Sequence, residues 1–224
     1  MRAPKALYSR PVWSSARKDM VGGSLGPSRI WFTLAGGILT EVYSPRIDIP
    51  QIRDLGFIVA DDRGFWSEVR ANGRYEMTLA GEGIPAVEIT HEHDRFRLKL
   101  KIVASPGRDV VLVDYRLSGE SGLRLYPLLS ARLGGEALDN TALCVPWHER
   151  RVLAAFQGPF ALSLAGMRSD GGDLFLRSSC GEIGESDGWQ DFHKNGRMAW
   201  KYEEAGPGEV ALMAEASSSG TLAL

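Results

Sequence analysis

The fold class rests first on the stretch from Arg95 to Ile102, which reads RFRLKLKI. Apolar and basic residues alternate through it without a break. The apolar positions are Phe96, Leu98, Leu100 and Ile102. Successive side chains of a β-strand point to opposite faces of the sheet, so a period of two indicates a half-buried strand. The stretch therefore predicts a strand with one apolar and one basic face.

Three neighbouring runs have the same character and lie at 85–90, 110–117 and 123–129. Short clusters of turn-forming residues separate them, as expected for an antiparallel meander. If the turns close at the nearest such clusters, Glu88 lies opposite Arg97 and Asp114 lies opposite Lys99. Pairing of this kind favours a solvated basic face whose charges are partly paired. The alternative is that four like charges on one face of the strand bind phosphate or an acidic partner.

Similar runs continue along the rest of the chain. They lie at 29–34, 37–43, 53–59, 64–69, 73–79, 150–156, 159–164, 197–202 and 208–216. Residues 61–64 (DDRG) read as a hairpin turn between two of them. More than a dozen short strands with glycine and proline between them predict an all-β protein, a large antiparallel sandwich bigger than one immunoglobulin-type unit. No repeat or linker interrupts the pattern, so residues 1–224 are expected to form a single domain.

The last residues, Thr221 to Leu224, begin another apolar strand. A strand that stops as it starts is unusual for a natural terminus. We therefore expect a domain truncated at its last strand, cut from a longer protein.

Composition narrows the class of protein. Apolar residues make up 44% of the 224, enough for a sizeable core, and 26 basic residues nearly balance 28 acidic ones. The balance argues against a nucleic-acid partner. No run of 18 apolar residues and no apolar leader is present, so we expect no membrane partner and a cytoplasmic location, with export by another route left open. The two cysteines form at most one bridge, and two free buried thiols are the favoured interpretation.

Motifs for metal binding are weak. His91 and His93 have a spacing that metals can use on one strand face, but no further ligand follows at a convincing distance. A polar hairpin tip is the simpler interpretation, and we predict no metal and no cofactor.

Motifs for catalysis are also weak. Glycoside hydrolysis needs two carboxylates at a set separation, and the sequence does not give the distances between its many carboxylates. The chain contains neither a Gly-x-Ser-x-Gly motif nor a glycine-rich phosphate loop. No catalytic residue is assigned.

Six tryptophans are candidates for contact with sugars, whose apolar faces stack on aromatic rings. Trp31 and Trp200 lie in strand-like runs and are expected in the core, whereas Trp66 and Trp189 border turns. A buried or interface role is the simpler interpretation for each of them.

Three long stretches together go beyond composition. They are Arg29 to Arg46 (RIWFTLAGGILTEVYSPR), Arg53 to Val59 (RDLGFIV) and Ser186 to Phe192 (SDGWQDF). They resemble the N-terminal domain of prokaryotic glucoamylases and glucodextranases, glycoside hydrolase family 15. The resemblance continues in order over almost the whole chain.

The resemblance implies a super-β-sandwich, of the galactose-mutarotase-like or glucodextranase N-domain type, that precedes an (α/α)6 catalytic barrel. In that family the barrel carries both catalytic glutamates, and this sequence contains no barrel, so the chain alone is predicted to be inactive. The longer protein is expected to be an inverting exo-α-glucosidase, and the downstream barrel is the expected partner.

Two functions remain open. The first is a non-catalytic domain that docks on the barrel and stabilises it, and the second is an autonomous module that binds α-glucan. The candidate docking or sugar-contact residues are Asp187, Trp189, Gln190, Asp191, Trp66 and Arg132. Arg132 stands where the family usually has histidine, which is a departure at an expected barrel contact.

Overall fold

The strands of this chain are hydrogen-bonded into two antiparallel sheets. The computed structural model describes residues 1–8, 10–14 and 16–224. The strands are β1 (Met20–Gly23), β2 (Trp31–Ala35), β3 (Ile38–Tyr43), β4 (Ile52–Ala60), β5 (Trp66–Glu68), β6 (Tyr75–Leu79), β7 (Ala86–Glu92), β8 (Phe96–Ala104), β9 (Val111–Gly119), β10 (Arg124–Ala131), β11 (Asn140–Trp147), β12 (Arg150–Gln157), β13 (Phe160–Met167), β14 (Phe175–Glu182), β15 (Glu204–Gly208), β16 (Val210–Ala216) and β17 (Ser219–Ala223). One α-helix, α1 (Gly188–Asn195), and 3-10 turns at Arg70–Asn72 and Leu133–Gly135 complete the described elements.

The strands divide into an eight-stranded and a nine-stranded sheet. The first has the order β1-β2-β3-β4-β10-β16-β14, with β5 beside β4. The second has the order β15-β11-β12-β13-β17-β9-β8-β7-β6. The last strand, β17, pairs with both β13 and β9 inside the second sheet. The predicted large antiparallel β-sandwich is therefore confirmed.

The apolar faces of the two sheets meet in one main core. Leu98 and Ile102 of β8 are fully buried in it, as are Leu125 of β10 and Leu212 of β16. The basic residues between the apolar positions of β8 are exposed, as the alternation predicts. Burying the apolar side chains of the main core supplies the main driving force for joining the sheets.

The meander is confirmed for β7, β8 and β9, whereas the fourth predicted run, 123–129, forms β10 in the other sheet. The predicted register of the meander is also wrong. Glu88 and Asp114 both lie opposite Lys101, one from each neighbouring strand, while Arg97 lies opposite Glu92. The pairing differs because β7 continues through Glu92, which makes the first turn tighter than the sequence suggests.

Other elements differ from expectation as well. The run 197–202 is irregular. The sequence pattern predicts neither the strands β1, β11, β14 and β15 nor the helix α1. The hairpin at 61–64 is confirmed, because the Asp61 carboxylate accepts the backbone N–H groups of Arg63 and Phe65 at 2.8 and 2.9 Å. Such local bonds to a turn are typical of Asp.

Candidate functional site

The helix α1 begins directly after Asp187, whose side chain accepts a hydrogen bond from the backbone N–H of Gln190. An Asp at this position satisfies one of the free N–H groups of the first helical turn. Gly196 ends the helix at a φ of 64°, and its N–H donates to the carbonyl of Phe192. The Asp-x-x-Gln spacing is that of a capping box, and it is the signal that could have predicted the helix.

A second set of apolar side chains lies beneath this helix, on the outer face of the eight-stranded sheet. We call it the outer apolar cluster, and it comprises Ile58, Ala60, Tyr126, Leu128, Phe192, Met198 and Met213, with Trp66 and Trp189 packed against it. The Phe192 ring centroid lies 5.0 Å from that of Tyr126 and 5.8 Å from that of Trp66. Gly188 allows the close approach of the helix, because a Cβ there would lie 2.6 Å from the sulfur of Met213.

Asp191 is engaged inside the domain. It is 1% exposed, and its Oδ2 accepts the backbone N–H groups of Ala199 and Trp200, both at 2.8 Å. Its Oδ1 accepts a bond of 2.8 Å from the amide of Asn195. These bonds fold the chain after α1 back along the helix.

Asp187 is also buried, with 2% exposure, and accepts the backbone N–H of Gly184 in addition to that of Gln190. Burial raises the pKa of the Asp187 carboxyl, and the backbone donors partly oppose that effect. Gln190 is half-buried on the first turn of the helix. Both acidic residues of the predicted site thus hold the helix in place.

A β-bulge turns two adjacent charged side chains of β4 to the outer face. The register between β4 and β10 shifts where Asp54 pairs with Ser130 and Ile52 pairs with Ala131. Arg53 Nε donates to Asp54 Oδ2 at 3.1 Å, and its Nη2 donates to Ser130 Oγ at 3.0 Å.

Arg132 and Glu209 complete this group, which we call the buried polar cluster (Arg53, Asp54, Ser130, Arg132 and Glu209). Arg132 is 1% exposed, and its Nη2 lies 3.3 Å from Glu209 Oε1. Arg53 Nη1 lies 3.9 Å from the same oxygen. Burial lowers the pKa of Arg132, but the ordinary value of an arginine is so high that the guanidinium stays charged. Buried charges of this kind depend on their partners, so loss of one partner is strongly destabilising.

The N-terminal segment covers this cluster with Val12 and Trp13. Arg132 Nη2 donates to the carbonyl of Val12 at 3.1 Å, and its guanidinium carbon lies 4.1 Å from the centroid of the Trp13 ring. The Trp13 side chain is 64% exposed, so one side of the ring covers Arg132 while much of it faces solvent.

The fold brings the predicted contact residues to one face. Trp66, Asp187, Trp189, Gln190 and Asp191 lie on α1, at its start, or beneath it. The sixth residue, Arg132, belongs to the adjacent buried polar cluster. Arg53 connects the two groups, because its guanidinium carbon lies 5.7 Å from the Trp189 ring centroid.

Sequence reasoning missed Arg53, Asp54 and Glu209. The signal was an adjacent Arg-Asp pair inside a run that is otherwise apolar, IRDLGFIVA at β4. Two charges in such a strand imply partners from elsewhere in the fold.

The two histidines of the hairpin contact separate groups inside the fold. His91 is buried with Nε2 2.8 Å from the carbonyl oxygen of Gly37, and the His93 ring stacks on Phe96 at 4.6 Å. Within residues 1–8, 10–14 and 16–224, no group of three or more His, Cys, Asp or Glu side chains could hold a metal ion. The single α-helix among these residues is too short to cross a membrane.

Three comparisons with known proteins agree with this architecture. The family described as "Glucodextranase, domain N" matches residues 3–224. The crystal structure of a bacterial glucoamylase complexed with acarbose superposes with a TM-score of 0.91 at 21% sequence identity, over 99% of this chain and 34% of that one. A glucoamylase from Clostridium sp. (strain G0005) is 44% identical over 58 residues, which are 25% of this chain and 8% of that protein. The chain thus spans about a third of the glucoamylase structure that it matches.

Proposed function

The chain belongs to the glucodextranase domain N family, and on that premise we propose that it is the non-catalytic N-terminal domain of a glucoamylase-like exo-α-glucosidase. Its role is to dock on a catalytic barrel of the same polypeptide and to stabilise that barrel during α-glucan breakdown. The observation that carries the proposal is the extent of the structural match, because almost all of this chain corresponds to one third of a glucoamylase.

The docking surface that we propose is the exposed side of α1 with the neighbouring tryptophans. Trp66 and Trp189 are both half-buried, so each ring packs against the outer apolar cluster and still presents area to a partner. A tryptophan also offers an N–H donor, which suits the boundary between a buried contact and solvent. Gln190 adds a polar group beside Trp189.

The buried residues of the site have a supporting part in this proposal. Asp187 caps α1, and Asp191 fixes the chain that follows it, so the angle at which Trp189 leaves the helix is set from inside the domain. Arg132 and Trp13 hold the N-terminal segment against the same face. A surface positioned in this way needs little reordering when a partner binds.

The test is the substitution Trp189→Ala in this chain and in the longer protein that carries it. We expect a small loss of thermal stability in the chain alone, because the ring is only half-buried, and a larger loss of stability or activity in the longer protein. Trp147→Ala is the matched control, because Trp147 is 65% exposed at the end of β11 in the other sheet. Equal effects of Trp189→Ala in both proteins, or collapse of the chain alone, would assign Trp189 to the domain interior and remove the docking role.

An autonomous α-glucan-binding module is the alternative, and one observation favours it. Trp31, expected in the core, is half-buried and lies opposite Tyr43 across β2 and β3. The two rings line a shallow groove of about 300 Å³ together with Val21 and Ile47. Maltooligosaccharide binding by the chain, measured by calorimetry and abolished by Trp31→Ala, would support this function over docking.

A further inference from the structure

The two cysteines lie on different sheets and meet between them. Cys144 is on β11 of the nine-stranded sheet, and Cys180 is on β14 of the eight-stranded sheet. The Cys180 sulfur lies 3.6 Å from the carbonyl oxygen of Ala142, two residues before Cys144 on the same strand. Residues 142 and 144 share one face of the strand, and the Cys144 side chain packs against the main core that contains Cys180.

Backbone hydrogen bonds to one shared segment position the two cysteines. The segment at Tyr202 and Glu203 runs between them. The Cys144 N–H donates to the Glu203 carbonyl at 2.8 Å, and the Cys180 N–H donates to the Tyr202 carbonyl at 3.0 Å. The Cys144 side chain is also the leading cause of the raised pKa of the Cys180 thiol. Both are free thiols in this structure.

We propose that Cys144 and Cys180 are a reversible redox pair, which a low-molecular-weight disulfide such as oxidised glutathione converts into a cross-link between the two sheets. The geometric basis is that the two cysteines lie on strands of opposite sheets and pack in the same core beside Ala142. In sequence they are separated by β12 and β13.

The two thiols differ in access, and this difference sets the order of the reaction. Cys180 is 2% exposed, whereas Cys144 is half-buried and lines a cleft of about 320 Å³. Arg151, Arg177, Lys201 and Glu203 also line that cleft. The two arginines pair with Asp173 and Glu215, so Lys201 is the lining cation best placed to attract the carboxylates of glutathione. Cys144 is therefore the thiol that an oxidant reaches first.

The reaction consists of two thiol–disulfide exchanges. The Cys144 thiolate attacks one sulfur of oxidised glutathione, the S–S bond of glutathione breaks, and one glutathione leaves as a thiolate. Cys180 then attacks the Cys144 sulfur of the mixed disulfide, and the second glutathione leaves. Two electrons pass to glutathione, and the protons lost by the two cysteines balance those taken up by the two released thiolates.

The second exchange is expected to be slow near neutral pH. In the reduced chain the Cys144 thiol and burial together raise the pKa of the Cys180 thiol well above its usual range. Burial of Cys180 persists once Cys144 carries glutathione, so little Cys180 thiolate is present. The rate of closure should therefore rise with pH.

The experiment incubates the reduced chain with oxidised glutathione over a range of pH and follows intact mass under non-reducing conditions. We expect a product lighter than the reduced chain by two hydrogens, a cross-linked peptide containing residues 144 and 180, and a melting temperature higher by about 5–10 °C. Reduction with a dithiol should reverse all three changes.

Two variants provide the controls. Cys180→Ser should retain a glutathione adduct on Cys144, because the resolving thiol is gone, whereas Cys144→Ser should take up little glutathione, because Cys180 is buried. The proposal is overturned if the unsubstituted chain accumulates a stable adduct without a cross-link, or if its cross-links join two chains. Circular dichroism of each variant establishes that it is folded before oxidation.

Discussion

His91 shows how one buried side chain couples this fold to pH. It lies between the sheets without exposure to solvent, and its Nε2 lies 2.8 Å from the carbonyl oxygen of Gly37. Gly37 has a φ of 74°, and a Cβ at that position would lie 2.3 Å from the imidazole. Burial lowers the pKa of His91, because the charged ring would lose its hydration.

The lowered pKa of His91 determines how the free energy of unfolding depends on pH. The folded state binds a proton less readily than the unfolded chain, so the free energy of unfolding should fall as pH drops below about 6.5, the ordinary value for histidine. In urea denaturation near neutral and mildly acidic pH, His91→Gln should lose less stability between the two conditions than the original chain does. The same exchange at exposed His148 is the control, and equal losses in all three proteins would contradict the prediction.

The alternation in β8 predicts that substitutions at neighbouring positions change the free energy of unfolding by very different amounts. Leu98 is fully buried in the core, and Lys99 is exposed opposite Thr90 and Arg116. Leu98→Ala should destabilise the domain by about 2–5 kcal/mol, because it removes buried methyl groups and leaves a cavity. Lys99→Ala should cost under about 1 kcal/mol, because exposed charges contribute little. Denaturant midpoints in the reverse order would mean that the assignment of faces is wrong.

The sandwich, taken without a catalytic barrel, is expected to release no glucose from maltose, starch or isomaltooligosaccharides. The reason is that the functional groups of its outer face hold a helix and an N-terminal segment, as the contacts of Asp187, Asp191 and Arg132 show. A heat-inactivated sample sets the background of the assay. Activity above that background, lost on substitution of one carboxylate of this chain, would place catalysis in the sandwich itself.

Much of the β-sandwich could be predicted because strand alternation is local. In β8 the apolar residues and their basic neighbours lie within nine consecutive positions, and the structure buries and exposes them accordingly. The helix α1 was harder to predict, because eight residues form a helix mainly when an apolar face has something to cover, here the outer apolar cluster. Its capping residues were visible, but the surface that stabilises it was not.

The buried polar cluster and the thiol pair could not be read from the order of residues. Arg53, Arg132 and Glu209 come from three separate regions of the chain and meet because β4, β10 and β16 are neighbours in one sheet. Cys144 and Cys180 come close because the two sheets that carry their strands pack together. Side-chain alternation depends on the nearest residues, so composition and spacing determine it. Partnership between distant charges and thiols depends on how the sheets are paired and packed, and that information exists only in the folded chain.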